Sequence, residues 1–308
     1  MNMSASGPTS FNGKHLAVFG AGYVGGALAR EALAAGLRVT ALTRNAETAA
    51  GLRAAGAAVI VGELGSAAWW PELAGEVDLV AVTVAAGGGG VEGYRRSYVE
   101  GLRSITGWAR GAVETSGLVP PLVYTSSTSV YPQDGGVRVT EADAVGGAAE
   151  TTQALIEAEQ VAAAWPGAAT VLRLAGIYGP GRTHLIEQVR SGEVAGRPDM
   201  HLNLIYQDDI VAGLWAAFGE AVGRAAGAKA KVLNLADEGA ATKGEVAAWL
   251  AERLGLAMPR FTGLPAGGRR AVTPDRIVDA SRARTELGWR AAKRTFREGY
   301  VDVLAAGG

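Results

Sequence analysis

The stretch Gly20-Ala21-Gly22-Tyr23-Val24-Gly25 follows an apolar run, His15 to Phe19, and opens an Ala/Leu-rich segment of helical pattern. Working outward, Leu16 to Phe19 fits a buried strand, and Val24, Leu28 and Ala32 fall on one helical face. Gly36 fits a helix stop, and Arg38 to Leu42 fits a second strand. In such a strand, loop, helix, strand unit each glycine has its own task. Gly20 makes the tight turn, Gly22 lets backbone approach a pyrophosphate, and Gly25 lets helix pack on strand. The helix start adds unpaired N–H groups and a positive dipole end. With 45 glycines in 308 residues such spacings arise by chance. The flanking strand and helix therefore carry the assignment of residues 20 to 25, Tyr23 and Val24 included, to a dinucleotide loop.

The alternation continues with a helix over Ala46 to Ala55, a strand over Ala58 to Val61 and a short helix over Ala67 to Ala74. A strand over Leu79 to Val84, a long helix over Gly93 to Ser116 and a strand over Leu122 to Thr125 follow. A helix over Thr152 to Ala164 and a strand over Thr170 to Leu174 complete the series. Regular β and α alternation predicts an α/β fold of the Rossmann type, a doubly wound parallel sheet with helices on both faces. Ligands of such sheets sit beyond the strands' carboxyl ends, where strand order reverses.

Past Gly179 the alternation weakens at Pro180, Gly192 and Pro198. The expected division is a flexible tail over 1–13, a nucleotide-binding Rossmann domain over 14–180, and a smaller substrate-binding lobe over 181–201 and 238–308. Strand-like Leu202 to Tyr206 and Val232 to Leu235 suggest that the chain returns to the first domain at about 202–237. Asp208 and Asp209 precede a helix over Asp209 to Phe218 and read as its caps. The four-glycine run Gly87 to Gly90 is either a mobile surface connection or a place where backbone passes close to a ligand.

Composition narrows the partners. The chain is 48% hydrophobic and 19% charged, which suits globular domains with ample core. A net charge of −1, with no basic block beyond the pairs Arg95/Arg96 and Arg269/Arg270, argues against nucleic acid or an anionic membrane as the main partner. The absence of cysteine excludes disulfides, thiolate catalysis and Cys-based zinc sites. His15, His184 and His201 lack ligand spacing, so no metal centre is expected. No apolar run is long enough to span a bilayer, and residues 1–13 lack a basic start and an apolar core, so the expected compartment is the cytoplasm.

NAD-binding versions of this fold place an Asp or Glu at the end of the second strand, roughly 20 residues past the glycines, to bond the ribose 2′-OH. That place holds Thr43 and Arg44. Without the carboxylate a 2′-phosphate meets no repulsion, and a guanidinium offers it paired charge-assisted bonds. NADP is therefore favoured over NAD, the alternative being that Arg44 is a solvated residue at a helix start. Glu63 and Leu64, after the third strand, fall on the adenine side. Val84, Ala85, Thr125, Ser126 and Ile177, at or near strand ends, complete the expected cofactor contacts.

GAGYVG at 20–25, VYTSSTSVYP at 123–132, LRLAGIYGPGR at 172–182, NLIYQDDIVAGL at 203–214 and ELGWR at 286–290 stand in one order along the chain. From Lys14 onward the chain thereby resembles the extended short-chain dehydrogenase/reductase superfamily, which includes nucleotide-sugar epimerases and dehydratases. The resemblance implies a Rossmann domain holding NAD(P), a substrate lobe and a homodimer through the helices at 93–116 and 152–164. The family's catalytic Tyr and the Lys four residues later are missing. Taking Glu159 as the family's glutamate in that helix puts Thr151 and Leu155 in their places, and there is no lysine between Lys14 and Lys229. This places the chain with the atypical members of the superfamily.

Ser127 takes the place of the family's Ser/Thr that hydrogen-bonds the reacting oxygen; satisfying a strand-end carbonyl is its other reading. Three phenols, Tyr98, Tyr131 and Tyr178, come near strand ends, Tyr98 standing where the family carries Asn before VEG. Tyr131, four residues past Ser127, is the first candidate for proton transfer, with a buried hydrogen-bonding role equally open. His184 titrates near neutrality and is a second proton carrier, or a surface helix residue. Arg182, Arg269 and Arg270 are candidates for an anionic substrate. Two functions follow: an NADP-dependent oxidoreductase or epimerase acting on a hydroxyl or carbonyl of a small polar, for instance sugar-derived, molecule, or a non-catalytic NADP(H)-binding redox sensor.

Overall fold

Strand β1 (His15–Phe19) is buried at every position at the heart of this computed structural model, which describes residues 7–73, 76–117, 119–225, 227–264 and 274–307. In chain order the further strands are β2 (Arg38–Thr43), β3 (Ala58–Val61), β4 (Leu79–Val82), β5 (Leu122–Ser127), β6 (Val137–Val139), β7 (Ala169–Leu174), β8 (Gly176–Tyr178), β9 (Glu193–Val194), β10 (Leu204–Tyr206), β11 (Lys231–Leu235), β12 (Arg260–Phe261) and β13 (Arg276–Val278). Seven of them form one parallel sheet in the order β11-β7-β5-β4-β1-β2-β3. Ala17 faces Thr40 of β2 on one side and Val80 of β4 on the other. From β1 the chain winds outward first one way and then the other. The order thus reverses between β1 and β4, and the crevice lies at their carboxyl ends.

The helices are α1 (Tyr23–Ala34), α2 (Ala46–Ala54), α3 (Gly90–Tyr94), α4 (Gly101–Ser116), α5 (Glu150–Ala163), α6 (His184–Arg190), α7 (Gln207–Val222), α8 (Lys243–Leu254), α9 (Ser281–Leu287) and α10 (Phe296–Ala305). Strands such as β4, apolar throughout, bury both faces because helices cover both. Leu28 and Ala32 of α1 and Leu214 and Phe218 of α7 pack with Val18 on one face. Leu102 and Ile105 of α4 and Ala154 and Ala158 of α5 pack with Phe19 and Val82 on the other. A separate apolar cluster gathers Ile186, Val246, Leu250, Phe296 and Tyr300. Among the described residues no helix is long and apolar enough to cross a membrane.

Four local expectations are revised. Residues 67–73 hold only the turn Trp70–Glu72, since Trp69 is drawn into the core by Phe19 and Trp108 and its indole donates to the Leu64 carbonyl at 3.1 Å. The helix expected over 93–116 begins at Gly90 and is interrupted by a π-helical turn at Arg95–Glu100. Of the two expected returns, only β11 joins the large sheet; Leu204–Tyr206 pairs with β8 instead. In the expected tail, Pro8–Phe11 forms a turn that stacks Phe11 on Trp215, with ring centroids 5.8 Å apart.

Candidate nucleotide site and active cleft

β1 ends on Gly20, whose φ of +92° and close passage by Val84 leave no room for a side chain; a Cβ there would lie 2.7 Å from the Val84 backbone nitrogen. Thr83 donates to the Gly20 carbonyl at 2.9 Å, tying the end of β1 to the end of β4. A Cβ on Gly25 would overlap both Thr83 Oγ1 and the Gly20 carbonyl, so helix α1 sits against the loop at backbone distance. Around Gly22 there is open space, and as the residue before α1 it makes no side-chain cap. The first N–H groups of this 12-residue helix thus face the crevice without a protein acceptor from a cap. This arrangement fits the pyrophosphate of a dinucleotide.

A cleft of about 690 Å³ runs from this loop across the strand ends. Gly20, Gly22, Tyr23, Val24, Arg44, Glu63, Leu64, Val84, Ala85, Thr125, Ser126 and Ile177, all expected cofactor contacts, line it. Gly25 does not; it acts one layer below, through packing. Thr43 lines the wall, its hydroxyl accepting the Asn45 N–H at 3.2 Å. Arg44 reaches Glu63 at 3.8 Å and also lies against Gly87, where a Cβ would come within 2.8 Å of its guanidinium. All four glycines from 87 to 90 have positive φ, and a Cβ on Gly93 would overlap the Gly88 carbonyl. The glycine run is therefore a tight turn that lets Arg44 and α3 close on it.

At the opposite wall Tyr23 donates to the Pro180 carbonyl at 3.0 Å, and the Arg182 guanidinium lies over its ring at 4.5 Å. Burial pushes the Tyr23 phenol up to about 12, despite the opposing Arg182 charge. Gln207, at the start of α7, donates to the Tyr23 carbonyl at 2.6 Å. Asp209 caps nothing local; its carboxylate accepts the N–H groups of Ala292 and Lys293 at 2.6 and 3.1 Å and so pins a segment far along the chain.

The candidate proton carriers separate. Ser127 lines the cleft at the end of β5, and its Oγ accepts the Ser129 N–H at 3.1 Å. Tyr131 is placed elsewhere. The turn Thr128–Val130 swings it into the core, where it is 1% exposed, donates to Asn234 Oδ1 at 2.8 Å and accepts from Arg173 at 2.8 Å. His184 also lies off the cleft, exposed at the start of α6 with its ring nitrogen beside Gln188. Tyr178 is buried against Tyr206, Tyr300 and Gly299, and burial raises its phenol far above the ordinary value. Tyr98 does line the cleft, its ring tilted against that of Tyr94 with centroids 5.3 Å apart. Leu155 faces the same space. Arg269 and Arg270 fall outside the described residues.

Tyr94, Arg96, Ser97 and Ser129 also line the cleft and were not foreseen. The four-residue spacing of Tyr94 and Tyr98 is a legible signal of a shared helical face. The π turn that brings Arg96 and Ser97 round with them leaves none, because a helical pattern read at 3.6 residues per turn turns them away.

Residues 16–236 match the family described as "NAD dependent epimerase/dehydratase family". Among solved structures the chain is similar to a functionally unknown conserved protein from Silicibacter pomeroyi DSS, at 25% identity and a TM-score of 0.73, covering 95% of this chain and 98% of that one. It is also similar to MoeE5 in complex with UDP-glucose and NAD, at 24% identity and a TM-score of 0.75, with 96% and 98% covered. DesIV, a dTDP-glucose 4,6-dehydratase from Streptomyces venezuelae with NAD and TYD bound, shares the fold at 19% identity and a TM-score of 0.78, with 95% and 96% covered. No curated protein sequence matches the chain.

Proposed function

Because this chain belongs to the NAD dependent epimerase/dehydratase family, we propose that it binds NADP in the cleft and acts as an oxidoreductase or epimerase on a hydroxyl or carbonyl of a small polar, for instance sugar-derived, substrate. The observation that carries this reading is the convergence of the uncapped start of α1, the open space at Gly22 and the Ser127 hydroxyl in one cleft. NADP rather than NAD rests on Thr43 and Arg44: MoeE5 and DesIV hold NAD, while here the end of β2 carries Thr43 in place of a carboxylate and a guanidinium beside it. When bound, the nicotinamide supplies or accepts the hydride. Ser127 uses its lone pair on the Ser129 N–H, which leaves its O–H to donate to the substrate oxygen. Tyr98, on the wall of the same cleft, takes the proton-transfer role that Tyr131 and His184 are too far removed to fill. The reading includes a cytoplasmic homodimer through α4 and α5, the helices that the family resemblance assigns to subunit contact.

Leu155 favours a second reading. It puts an apolar side chain in the cleft at the place the family resemblance assigns to lysine, which suits a protein that binds NADP(H) and reports its redox state without turnover. One experiment separates the two: NADPH oxidation, NADP reduction and, because an epimerase returns its hydride within each cycle, chromatographic detection of converted sugar, across a panel of nucleotide sugars and their keto forms, for the wild type, Ser127→Ala and Tyr98→Phe. Turnover that falls in both variants while nucleotide affinity holds supports the enzyme. No turnover anywhere, with unequal affinity for NADP and NADPH, supports the sensor.

A further inference from the structure

A second cavity, of about 270 Å³, lies where the segment after β11 meets the end of β13 and the residues flanking α9. Three arginines and three acidic side chains line it. Arg138 is paired with Asp279 at 3.4 Å, and Glu238 is held by Arg294 at 2.6 Å. Arg284 and Arg290 line the same space and make no ion pair within 4 Å among the described residues, although both feel the Glu238 charge and Arg284 also that of Asp279. Asp237 belongs to the same lining and is only 7% exposed. One of its oxygens accepts the Gly239 N–H at 3.1 Å, and the other has no hydrogen-bond partner among the described residues.

Burial, with Asp209, Glu298 and Glu238 nearby, pushes the Asp237 carboxyl up to about 8 against the pull of the Gly239 N–H, which favours its proton-donating form. The lining therefore offers two guanidinium groups with no ion pair within 4 Å among the described residues and one acid that burial biases toward its neutral form, while Asp279 and Glu238 are each paired with another arginine. Guanidinium forks recognise phosphate and carboxylate oxygens through paired N–H bonds, and a protonated carboxyl adds a donor rather than a repelling charge. None of these residues takes part in the nucleotide cleft.

We propose that this cavity binds a small oxyanion of phosphate or carboxylate chemistry, gripped by Arg284 and Arg290, with Asp237 in the same lining. A cavity of this size admits a small metabolite bearing one such group and excludes a dinucleotide.

The test is calorimetric titration of the full chain with inorganic phosphate and, separately, with succinate, at an ionic strength held constant with chloride. R284Q/R290Q removes the proposed grip, and R44Q serves as the control for phosphate entering the nucleotide cleft. The expected result is binding of at least one probe that is equal in the wild type and R44Q and weaker by about tenfold or more in R284Q/R290Q, the loss of one charge-assisted bond or more. Which probe binds identifies phosphate or carboxylate as the natural chemistry. The charge-keeping R284K/R290K, expected to retain part of the affinity, serves if the glutamine variant fails to fold. Binding of neither probe above the chloride background, equal affinity in R284Q/R290Q, or a signal lost in R44Q would each overturn the proposal.

Discussion

The Arg173 guanidinium meets the Glu159 carboxylate side on, Nε to Oε1 at 3.0 Å and Nη2 to Oε2 at 2.7 Å, with both side chains buried. Its remaining nitrogen donates to Tyr131, and Ser126 donates to Glu159 at 2.6 Å. Burial works against the Arg173 charge, yet the paired bonds and charge of Glu159 hold its pKa above the ordinary value. One network thus runs from Ser126 on the cleft wall through the sheet to Asn234 on β11.

Breaking that pair leaves a buried charge without its partner. Glu159→Gln is expected to lower stability by about 3–5 kcal/mol. Tyr131→Phe keeps the pair and removes only the hydroxyl between Arg173 and Asn234, so it should cost about 1–2 kcal/mol. Urea denaturation gives both values. NADP affinity in Tyr131→Phe should match the wild type, and a collapse of turnover without loss of stability would restore Tyr131 to the chemistry.

Two glycines of one loop should respond in opposite ways to alanine. Gly25→Ala drives a methyl into Thr83 and the Gly20 carbonyl, and is expected to lose folded protein as well as nucleotide. Gly22→Ala meets no protein atom, and its φ of −79° lies outside the left-handed region that favours glycine. It should therefore keep the wild-type melting temperature while nucleotide affinity drops, because the methyl occupies the approach to α1. Parallel thermal melts and nucleotide titrations check the contrast.

Arg44→Gln is expected to weaken NADP by about tenfold and leave NAD nearly unchanged, as loss of a charge-assisted phosphate contact requires. Glu63→Gln should act in the reverse direction, tightening NADP by removing the carboxylate 3.8 Å from Arg44. Fluorescence titrations with both nucleotides decide it; an equal effect of Arg44→Gln on the two would remove the case for NADP.

Asp237 makes stability depend on pH. Its carboxyl stands at 3.8 when exposed and about 8 in the fold, raised by burial and by the neighbouring Asp209, Glu298 and Glu238 against the Gly239 N–H. A raised acid stabilises the fold fully below its unfolded value and loses that contribution as pH climbs through the folded value. Relative to Asp237→Asn, the wild type should thus lose stability steadily from about pH 4 to about pH 8, by an amount on the order of a few kcal/mol. Denaturation midpoints of both proteins across that range give the difference, and parallel curves would contradict the assignment.

The elements that could be read along the chain are those whose cause is local. β1, the glycine loop, α1 and β2 follow from a strand-period apolar run, a glycine set and a helical stripe within about thirty residues, and the observed spans agree with that reading nearly to the residue. Arg44 and Glu63 also follow, since each lies within two residues of the end of its strand and both line the cleft. The pairing of Leu204–Tyr206 with β8, and not with the large sheet, was not legible, because an apolar strand carries no mark of its partner.

The chain by itself determined that a dinucleotide loop sits at the end of a central strand, because turn geometry and the close approach of helix to strand admit only glycine at Gly20 and Gly25. Which hydroxyls accompany it was decided by the tertiary structure. Tyr131 stands four residues past Ser127, yet a single 3₁₀ turn and two partners at positions 173 and 234 draw it into the core. Tyr98 comes to the cleft through a π turn whose extra residue no periodicity announces. A side chain's direction depends on the partners that satisfy its polar atom, and those lie far away along the chain.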